Sequence, residues 1–324
     1  MKTDILSDVL QTVRLSGAIF FDVQTSTPWV AVAPPSNEIA EKVIPGAQHV
    51  IEYHVVISGS GWSGLNDDPQ SLVEFGPGSI LVFPQGDSHM MSSDPRLRAD
   101  PDVGIFPEMD ASASLPFLLT PGGGGPKGAR MICGFLGCDI RPFNPLVQTL
   151  PRMIHVRDAL KAEGGWLGQL IEATLRESSE GRLGGSGILT KLSELIFIEV
   201  VRRHAETQDT AAASWLTGLR DPQVGKALAL IHGEPARAWT LPELAREVAV
   251  SRTILAERFS EHVGMPPMTY LFNWRMQLAS RLLSATAQPM ASIAASVGYD
   301  SESAFSRAFK RATGSAPTDW RKQA

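Results

Sequence analysis

Cysteine is almost missing from this chain: 324 residues hold two, Cys133 and Cys138. Two thiols cannot build the disulfide framework that staples small secreted domains, so a reducing compartment is expected. Tyrosine is nearly as scarce, at three. No run of 18 apolar residues occurs, so no membrane span is expected. The start, Met1–Gly17, carries Asp4 and Asp8 among its apolar residues. It lacks the continuous apolar stretch and small-residue cleavage site of a secretory leader, and the expected location is the cytoplasm. Charged residues make up only 19% against 43% hydrophobic ones, which excludes a disordered chain and supplies material for real cores.

Net positive charge is also lacking overall, at −5, but it is unevenly spread. From Arg220 to Ala324 there are 13 Lys and Arg against 9 Asp and Glu, a net of +4. Residues 1–219 therefore carry −9. A mildly basic end on an acidic body fits a nucleic-acid partner for that end alone.

Three regions differ in their periodicity, and together they predict a multidomain α+β chain. Residues 1–145 read as short strands punctuated by Gly, Pro and Asp, as in Gly17–Val23, Trp29–Ala33, Val50–Ile57, Ser79–Phe83 and Met131–Leu136. That pattern predicts a sandwich or barrel. Residues 146–215 change to a helical period. Trp166, Leu167, Leu170, Ile171 and Leu175 fit one helical face, and Leu189, Leu192, Leu195, Ile196, Ile198 and Val201 fit another. This segment reads either as helices packed on the barrel or as a linker through which a homodimer forms. Residues 216–324 are helical throughout.

In the last region one design occurs twice. Trp239–Phe259 reads W-T-L-P-E-L-A-R-E-V-A-V-S-R-T-I-L-A-E-R-F. Thr240 and Glu243 form a capping box, with Pro242 in the first turn, where its missing N–H costs nothing. Leu241, Leu244, Ala245 and Val248 face inward, Ala249 and Val250 turn, and Ser251 caps a second helix. Ile254 or Leu255, together with Phe259, lies on the inner side of that helix. Ser292–Lys310 repeats the plan: Ile293, Ala294 and Val297 face inward, Gly298 takes the turn, Asp300 or Ser301 caps, and Phe305 and Phe309 anchor. Helix, short turn, helix at this spacing is how a second helix is set into the DNA major groove. Between the units, Met268–Leu283 predicts a helix of about 16 residues, or about 24 Å. Such a spacer suits two recognition helices about one DNA turn apart, ~34 Å.

These motifs, followed by G-S-A-P-T-D-W-R, closely resemble the AraC/XylS family of bacterial transcription regulators over roughly Asp221–Arg321. The resemblance implies a C-terminal all-α domain with two helix-turn-helix units, promoter DNA as partner, and RNA polymerase as a second partner contacted more often in activation than in repression. Helix geometry then selects the readers. Opposite the buried faces lie Arg252, Thr253, Ala256 and Glu257 on the first recognition helix, and Glu302, Ser303, Ser306 and Arg307 on the second. These are the candidates for base contacts, with Arg307 suited to a bidentate pair with guanine. Ser251, Arg275, Ser301, Lys310 and Arg311 are the candidates for phosphate.

The front region carries G-S-I-L-V-F-P-Q-G-D-S-H at Gly78–His89, which matches G-x-x-x-x-x-P-x-G-x-x-H at every fixed position. It looks like the second signature of a cupin barrel. The first signature is incomplete: Glu52, Tyr53 and His54 are present, but one His and the later Glu of the usual set are missing. E-Y-H-V-V-I-S-G, F-P-Q-G-D-S-H and L-P-R-M-I-H-V also resemble the cupin type that precedes this DNA-binding domain in many regulators. His54 and His89 are expected on neighbouring inward-facing strands, with Cys133 on a later one and Glu52 on the face of His54. The four are candidates for holding a small-molecule effector or a divalent metal such as zinc. Cys133 and Cys138 are five apart, which sends them to opposite faces of a regular strand and disfavours a local disulfide. Gly122–Gly125 with Lys127 lacks G-K-[ST] and reads as a loop.

The leading expectation is a sequence-specific DNA-binding regulator, not an enzyme, with a cupin-like sensor. The alternative is a cupin metalloenzyme with an appended DNA-binding domain. A third reading is a constitutive DNA binder whose barrel only dimerises.

Overall fold

Two periodicities divide the polypeptide, and each builds its own unit. In the computed structural model the described residues are 4–106, 115–159, 165–180, 182–208 and 214–323. Strands in chain order are β1 (Ser16–Ser26), β2 (Val30–Ala33), β3 (His49–Ser58), β4 (Gly61–Leu65) and β5 (Val73–Phe75). They continue with β6 (Ile80–Phe83), β7 (His89–Ser92), β8 (Phe117–Leu119), β9 (Lys127–Cys138) and β10 (Ile154–Val156). Helices are α1 (Ile5–Thr12), α2 (Ser36–Val43), α3 (Pro145–Thr149), α4 (Trp166–Glu180), α5 (Gly185–Thr207), α6 (Trp215–Arg220) and α7 (Pro222–Gly233). After them come α8 (Leu241–Glu247), α9 (Arg252–Val263), α10 (Pro267–Ala285), α11 (Met290–Ser296), α12 (Glu302–Thr313) and α13 (Pro317–Gln323). None of these helices is long and apolar enough to cross a membrane.

The β-rich unit comprises Leu15–Cys138 and Leu150–Glu206. A six-stranded sheet runs in the order β10-β6-β3-β9-β1-β8, and a four-stranded sheet in the order β2-β7-β4-β5. Strand β3 is buried on both faces, which a period of two explains once each face has a cover. Val50, Glu52, His54 and Val56 point to the interior, where Phe21, Leu81, Phe83 and Phe135 share the core. The alternate residues Tyr53 and Val55 meet Ile171 and Thr174 of α4 and Ile196 of α5. The Tyr53 hydroxyl lies 2.7 Å from Ser193 Oγ, pinning α5 to the sheet. Helices α4 and α5 are thus the outer cover of this unit. Two residues expected on their inward faces are not there: Trp166 is 53% and Leu195 39% exposed, while Leu167, Leu170, Ile171, Leu189 and Ile196 are buried.

The helical unit comprises Met1–Arg14, Asp139–Thr149 and Thr207–Ala324, so the two units interleave along the chain. Its first helix is capped by Asp4, whose carboxylate accepts from the Ser7 N–H, and buries Ile5, Val9 and Leu10. Arg14 holds Asp139 through two bonds of 2.6 and 2.8 Å. The Phe143 N–H donates to Gln277 Oε1 of α10 at 3.0 Å. Helix α10 is the spine: Tyr270, Trp274, Met276 and Leu283 are fully enclosed. With 19 residues it extends the expected helix by a few residues and spans about 28 Å. On one side of it Leu255, Phe259 and Val263 of α9 are buried at spacings of four. Elsewhere Met276 and Leu283 share a core with Ile293, Val297, Phe305 and Phe309.

Candidate effector cavity and nucleic-acid interface

Inside the β-rich unit the sheets leave a cavity of about 370 Å³. Strand β3 contributes Glu52 and His54, β7 contributes His89, and β9 contributes Cys133. The two histidines do not sit on neighbouring strands, as the sequence suggested. They belong to different sheets and meet across the interior. The loop before β7 makes this approach: Gly86 takes φ +68°, and a Cβ there would strike Ser36 Oγ at 1.9 Å and the Val50 carbonyl at 2.9 Å. Only glycine fits both the conformation and the space.

His54 Nε2 and His89 Nε2 are 2.7 Å apart. His89 Nδ1 lies 2.9 Å from the Asp87 carbonyl, which can only accept, so that nitrogen carries the proton. In neutral His89 the Nε2 is then an acceptor, and His54 Nε2–H donates to it. His54 Nδ1 is left with a bare lone pair, and it has no partner among the described residues. Glu52 Oε1 is likewise buried and unpartnered, while Glu52 Oε2 lies 4.0 Å from His89 Nε2. The His89 ring stacks on Phe83 at 3.5 Å and 9°.

Burial governs the charges. It pushes the Glu52 carboxyl well above the usual carboxylate range. It holds His54 well below the usual imidazole range, with His89 adding to the effect. His89 falls to about 4 for the same reason, partly opposed by its bond to Asp87. The Cys133 thiol is pushed well up by burial and then by Glu52, so it is not a ready thiolate. Desolvation by burial thus favours the neutral forms of all four groups.

The donor set also fits a divalent cation. One ligand atom each from Glu52, His54 and His89 falls within a mutual 4.8 Å, and all three residues are buried. Two imidazoles and a carboxylate are ordinary ligands for zinc and its neighbours. Cys133 pairs in register with His54 and lines the cavity, but it does not join that group. Cys138 is buried at the end of the same strand, and the two cysteines are not joined in a disulfide.

The helical unit presents a different kind of surface. The α8 capping box forms as expected, between Thr240 and Glu243. Ser251 and Ser301 cap α9 and α12, accepting from the N–H groups of Ile254 and Ala304 at 3.2 Å each. On α9, Arg252, Thr253 and Glu257 are exposed and Ala256 is half-buried; on α12, Glu302, Ser303 and Arg307 are exposed and Ser306 is half-buried. Lys310 and Arg311 lie exposed at the far end of α12, with Arg311 over the Phe272 ring at 4.9 Å. The structure does not leave Arg275 free for phosphate. Its guanidinium donates to the Pro235 carbonyl at 2.7 Å and the Arg237 carbonyl at 2.8 Å, and burial lowers its pKa. It is an internal clamp.

Two functional candidates escaped the sequence reading. Ile254 is 45% exposed on the open face of α9, beside Arg252 and Thr253. The spacing Leu255, Phe259, Val263 carried the signal, since it assigns the inner face to Leu255 and expels Ile254. The other is a buried chain in which Trp215 Nε1–H donates to the Tyr270 hydroxyl at 3.1 Å and Tyr270 donates to His232 Nε2 at 2.9 Å. His232 Nδ1–H then donates to Asp8 at 2.6 Å. No local pattern signals a partner 224 residues away.

These features place the chain in a class. It belongs to the cupin family, whose profile, described as Cupin, matches residues 4–206. Behind it, residues 244–323 match the profile described as Helix-turn-helix domain. The chain is 41% identical over 177 residues to a Streptomyces antibioticus protein named as an AraC-like transcription regulator, covering 55% of this chain and 58% of that one. It therefore spans less than two thirds of that relative's length. It is also 29% identical over 321 residues to the HTH-type transcriptional regulator AlkR of Acinetobacter baylyi, covering 99% of each. Among solved structures, the C-terminal domain of AraT, a response regulator from Geobacillus stearothermophilus, aligns at 32% identity and TM-score 0.31, covering 32% of this chain and 87% of that one. The cupin-type front and the AraC-type back read from sequence are what the family profiles and the named relatives show.

Proposed function

We propose that this chain is a sequence-specific DNA-binding transcription regulator in which α9 and α12 read promoter DNA and the cavity senses a small effector or metal. One observation carries the reading: two capped helix-turn-helix units hang on one long helix, and each second helix exposes a row of polar side chains while its other face is enclosed. The names of the relatives support it. Cytoplasmic activation through contact with RNA polymerase is the output such proteins most often have, and we assign it here. The effector shifts the output only by favouring one state of the protein over another.

The domain roles follow. The β-rich unit holds the sensor, its covering helices α4 and α5 the coupling and dimerising surface, and the helical unit the DNA reader, so the expected bounds 1–145, 146–215 and 216–324 shift: Met1–Arg14 and Asp139–Thr149 go with the reader and Leu150–Glu206 with the sensor. Exposed Ile188 and Leu195, seven apart on α5, support a homodimer contact on that helix. The second reading, a metal sensor, rests on Glu52, His54 and His89, which would hold the ion. A bound divalent ion would supply charge and Lewis acidity at the cavity floor. A metalloenzyme is the variant of that reading which turnover assays on metal-loaded protein would reveal.

The deciding experiment is selection of bound duplexes from random DNA at about 0.15 M salt, with and without zinc. Salt must be held fixed, because phosphate attraction depends steeply on it. An enriched sequence is expected. Recovery of unselected DNA in both arms would sink the regulator reading.

A further inference from the structure

The two helix-turn-helix units follow one plan, so a position in one can be weighed against its counterpart in the other. Leu255 and Phe259 of α9 match Phe305 and Phe309 of α12, and all four are fully enclosed. Ser251 and Ser301 match as caps, and their hydroxyls accept from the N–H groups of Ile254 and Ala304 at 3.2 Å each. Ile254 and Ala304 therefore hold the same place, the third residue of a capped helix. Ala304 is half-buried, whereas Ile254 is 45% exposed.

The second unit shows that a methyl group is enough to complete the fold at this place. Isoleucine there carries two local costs. Its branched side chain makes it a poorer helix former than alanine, and its apolar surface stands in water. Among the described residues, no other large hydrophobic side chain of the helical unit is exposed; the rest of that kind belong to the β-rich unit. At about 100° per residue, Ile254 lies about 140° round the helix from the mean direction of Leu255, Phe259 and Val263. That is nearer the centre of the open face than Thr253, and close to Glu257.

The charges of the two helices differ in the same sense. On α9, Glu257 and Glu261 are exposed, and Arg258 is held by Asp221. On α12, Arg307, Lys310 and Arg311 are exposed. A helix with little pull on the phosphates depends on what it makes with the bases. In the major groove the base edges offer one apolar group, the 5-methyl of thymine.

We propose that Ile254 is a specificity-determining residue that packs on the 5-methyl group of a thymine. The half-site under α9 is then read in part by an apolar contact that the shorter, half-buried Ala304 does not reproduce under α12. The inference rests on the reading that α9 enters the major groove.

The test uses purified full-length protein and the duplex enriched from random DNA at about 0.15 M salt. Each thymine of that duplex is replaced in turn by deoxyuridine, which removes the methyl group and keeps the base pair. Wild-type protein is expected to lose about three- to tenfold in affinity at one thymine, the worth of a buried methyl contact. Ile254→Ala should weaken the parent duplex by a similar factor and become indifferent to deoxyuridine at that thymine alone. Its salt dependence should match that of the wild type, because no charge is lost. Its melting should be cooperative and no lower than the wild type, which separates a lost contact from a damaged helix. Indifference of the wild type to every deoxyuridine would overturn the proposal, as would an enriched sequence without thymine. So would an Ile254→Ala protein that keeps the full deoxyuridine effect, above all if Thr253→Ser abolishes it, since Thr253 also carries a methyl. Enrichment of a sequence with no coupling to Ile254 sinks this inference alone. Recovery of unselected DNA sinks the regulator reading beneath it.

Discussion

Arg275 and Arg307 carry the same charge and do different work. Arg275 spends its donors on two backbone carbonyls, so Arg275→Ala is expected to destabilise the helical unit by about 2–4 kcal/mol, the range for lost charge-assisted bonds in partly buried sites. Urea unfolding followed by helical signal measures it. A loss of DNA affinity with unchanged unfolding would instead return Arg275 to the phosphate surface. Arg307 stands exposed on α12, where Arg307→Ala should relax base preference at one position and cost about 1–3 kcal/mol there. Lys310→Ala should weaken all duplexes alike and flatten the salt dependence. Competition binding on specific and random duplexes tells the two apart, and identical behaviour of both variants would defeat the assignment. Histidine supplies a pH prediction. Burial lowers the pKa of His232, with Asp8 opposing through its hydrogen bond. In the unfolded chain the ring takes a proton near its ordinary value, while the folded ring stays neutral to lower pH. Its stabilising share is therefore present above about 6.5 and is lost as pH falls below that toward the folded value. Melting of the helical unit should drop between pH 7.5 and 5.5, and Asp8→Asn should steepen the drop by removing the group that favours the charged ring. A flat profile in the wild-type protein would count against this.

The turns of the two helix-turn-helix units differ in a way that predicts opposite effects of small substitutions. Ala249 takes φ +60° and Gly298 takes φ +80°. A side chain in the left-handed region costs roughly 1 kcal/mol, so Ala249→Gly should raise stability by up to about that amount. Gly298→Ala should lower it further, since its Cβ would meet the Ala236 carbonyl at 2.5 Å and the Arg275 guanidinium at 2.7 Å. Thermal melting of the pair checks the sign of each, and a destabilised Ala249→Gly protein would refute the strain argument. At this scale the sequence was most readable. Capping residues, turn residues and apolar spacings of four are local, and Thr240, Ser251, Ser301, Phe305 and Phe309 all lie where such rules put them. The strand motif around Gly78–His89 was equally plain. What local rules could not supply was which sheet each strand joins. That is why His54 and His89 were expected side by side and instead face each other. Nor could they tell that Trp166 lies outside the packed face of α4, since a strip of apolar residues does not announce where its edge falls.

At the scale of the whole molecule, the helical unit is assembled from three separated stretches of chain, with the β-rich unit made largely from what lies between them. The reason is not visible in any window of sequence. Asp8, Arg14 and Phe143 find partners at His232, Asp139 and Gln277, and all three pairs bridge more than a hundred residues. Closing such loops costs entropy that grows only slowly with length, so the arrangement is thermodynamically affordable, but it orders events in time. On a ribosome adding about 5–20 residues per second, α1 is made well before α7 and waits roughly ten to forty-five seconds for His232. Throughout that interval Ile5, Val9 and Leu10 have no permanent shelter. A helix made long before its partners is thus among the last to settle, and the nascent chain carries a greasy segment that a chaperone can hold until α7 has been synthesised.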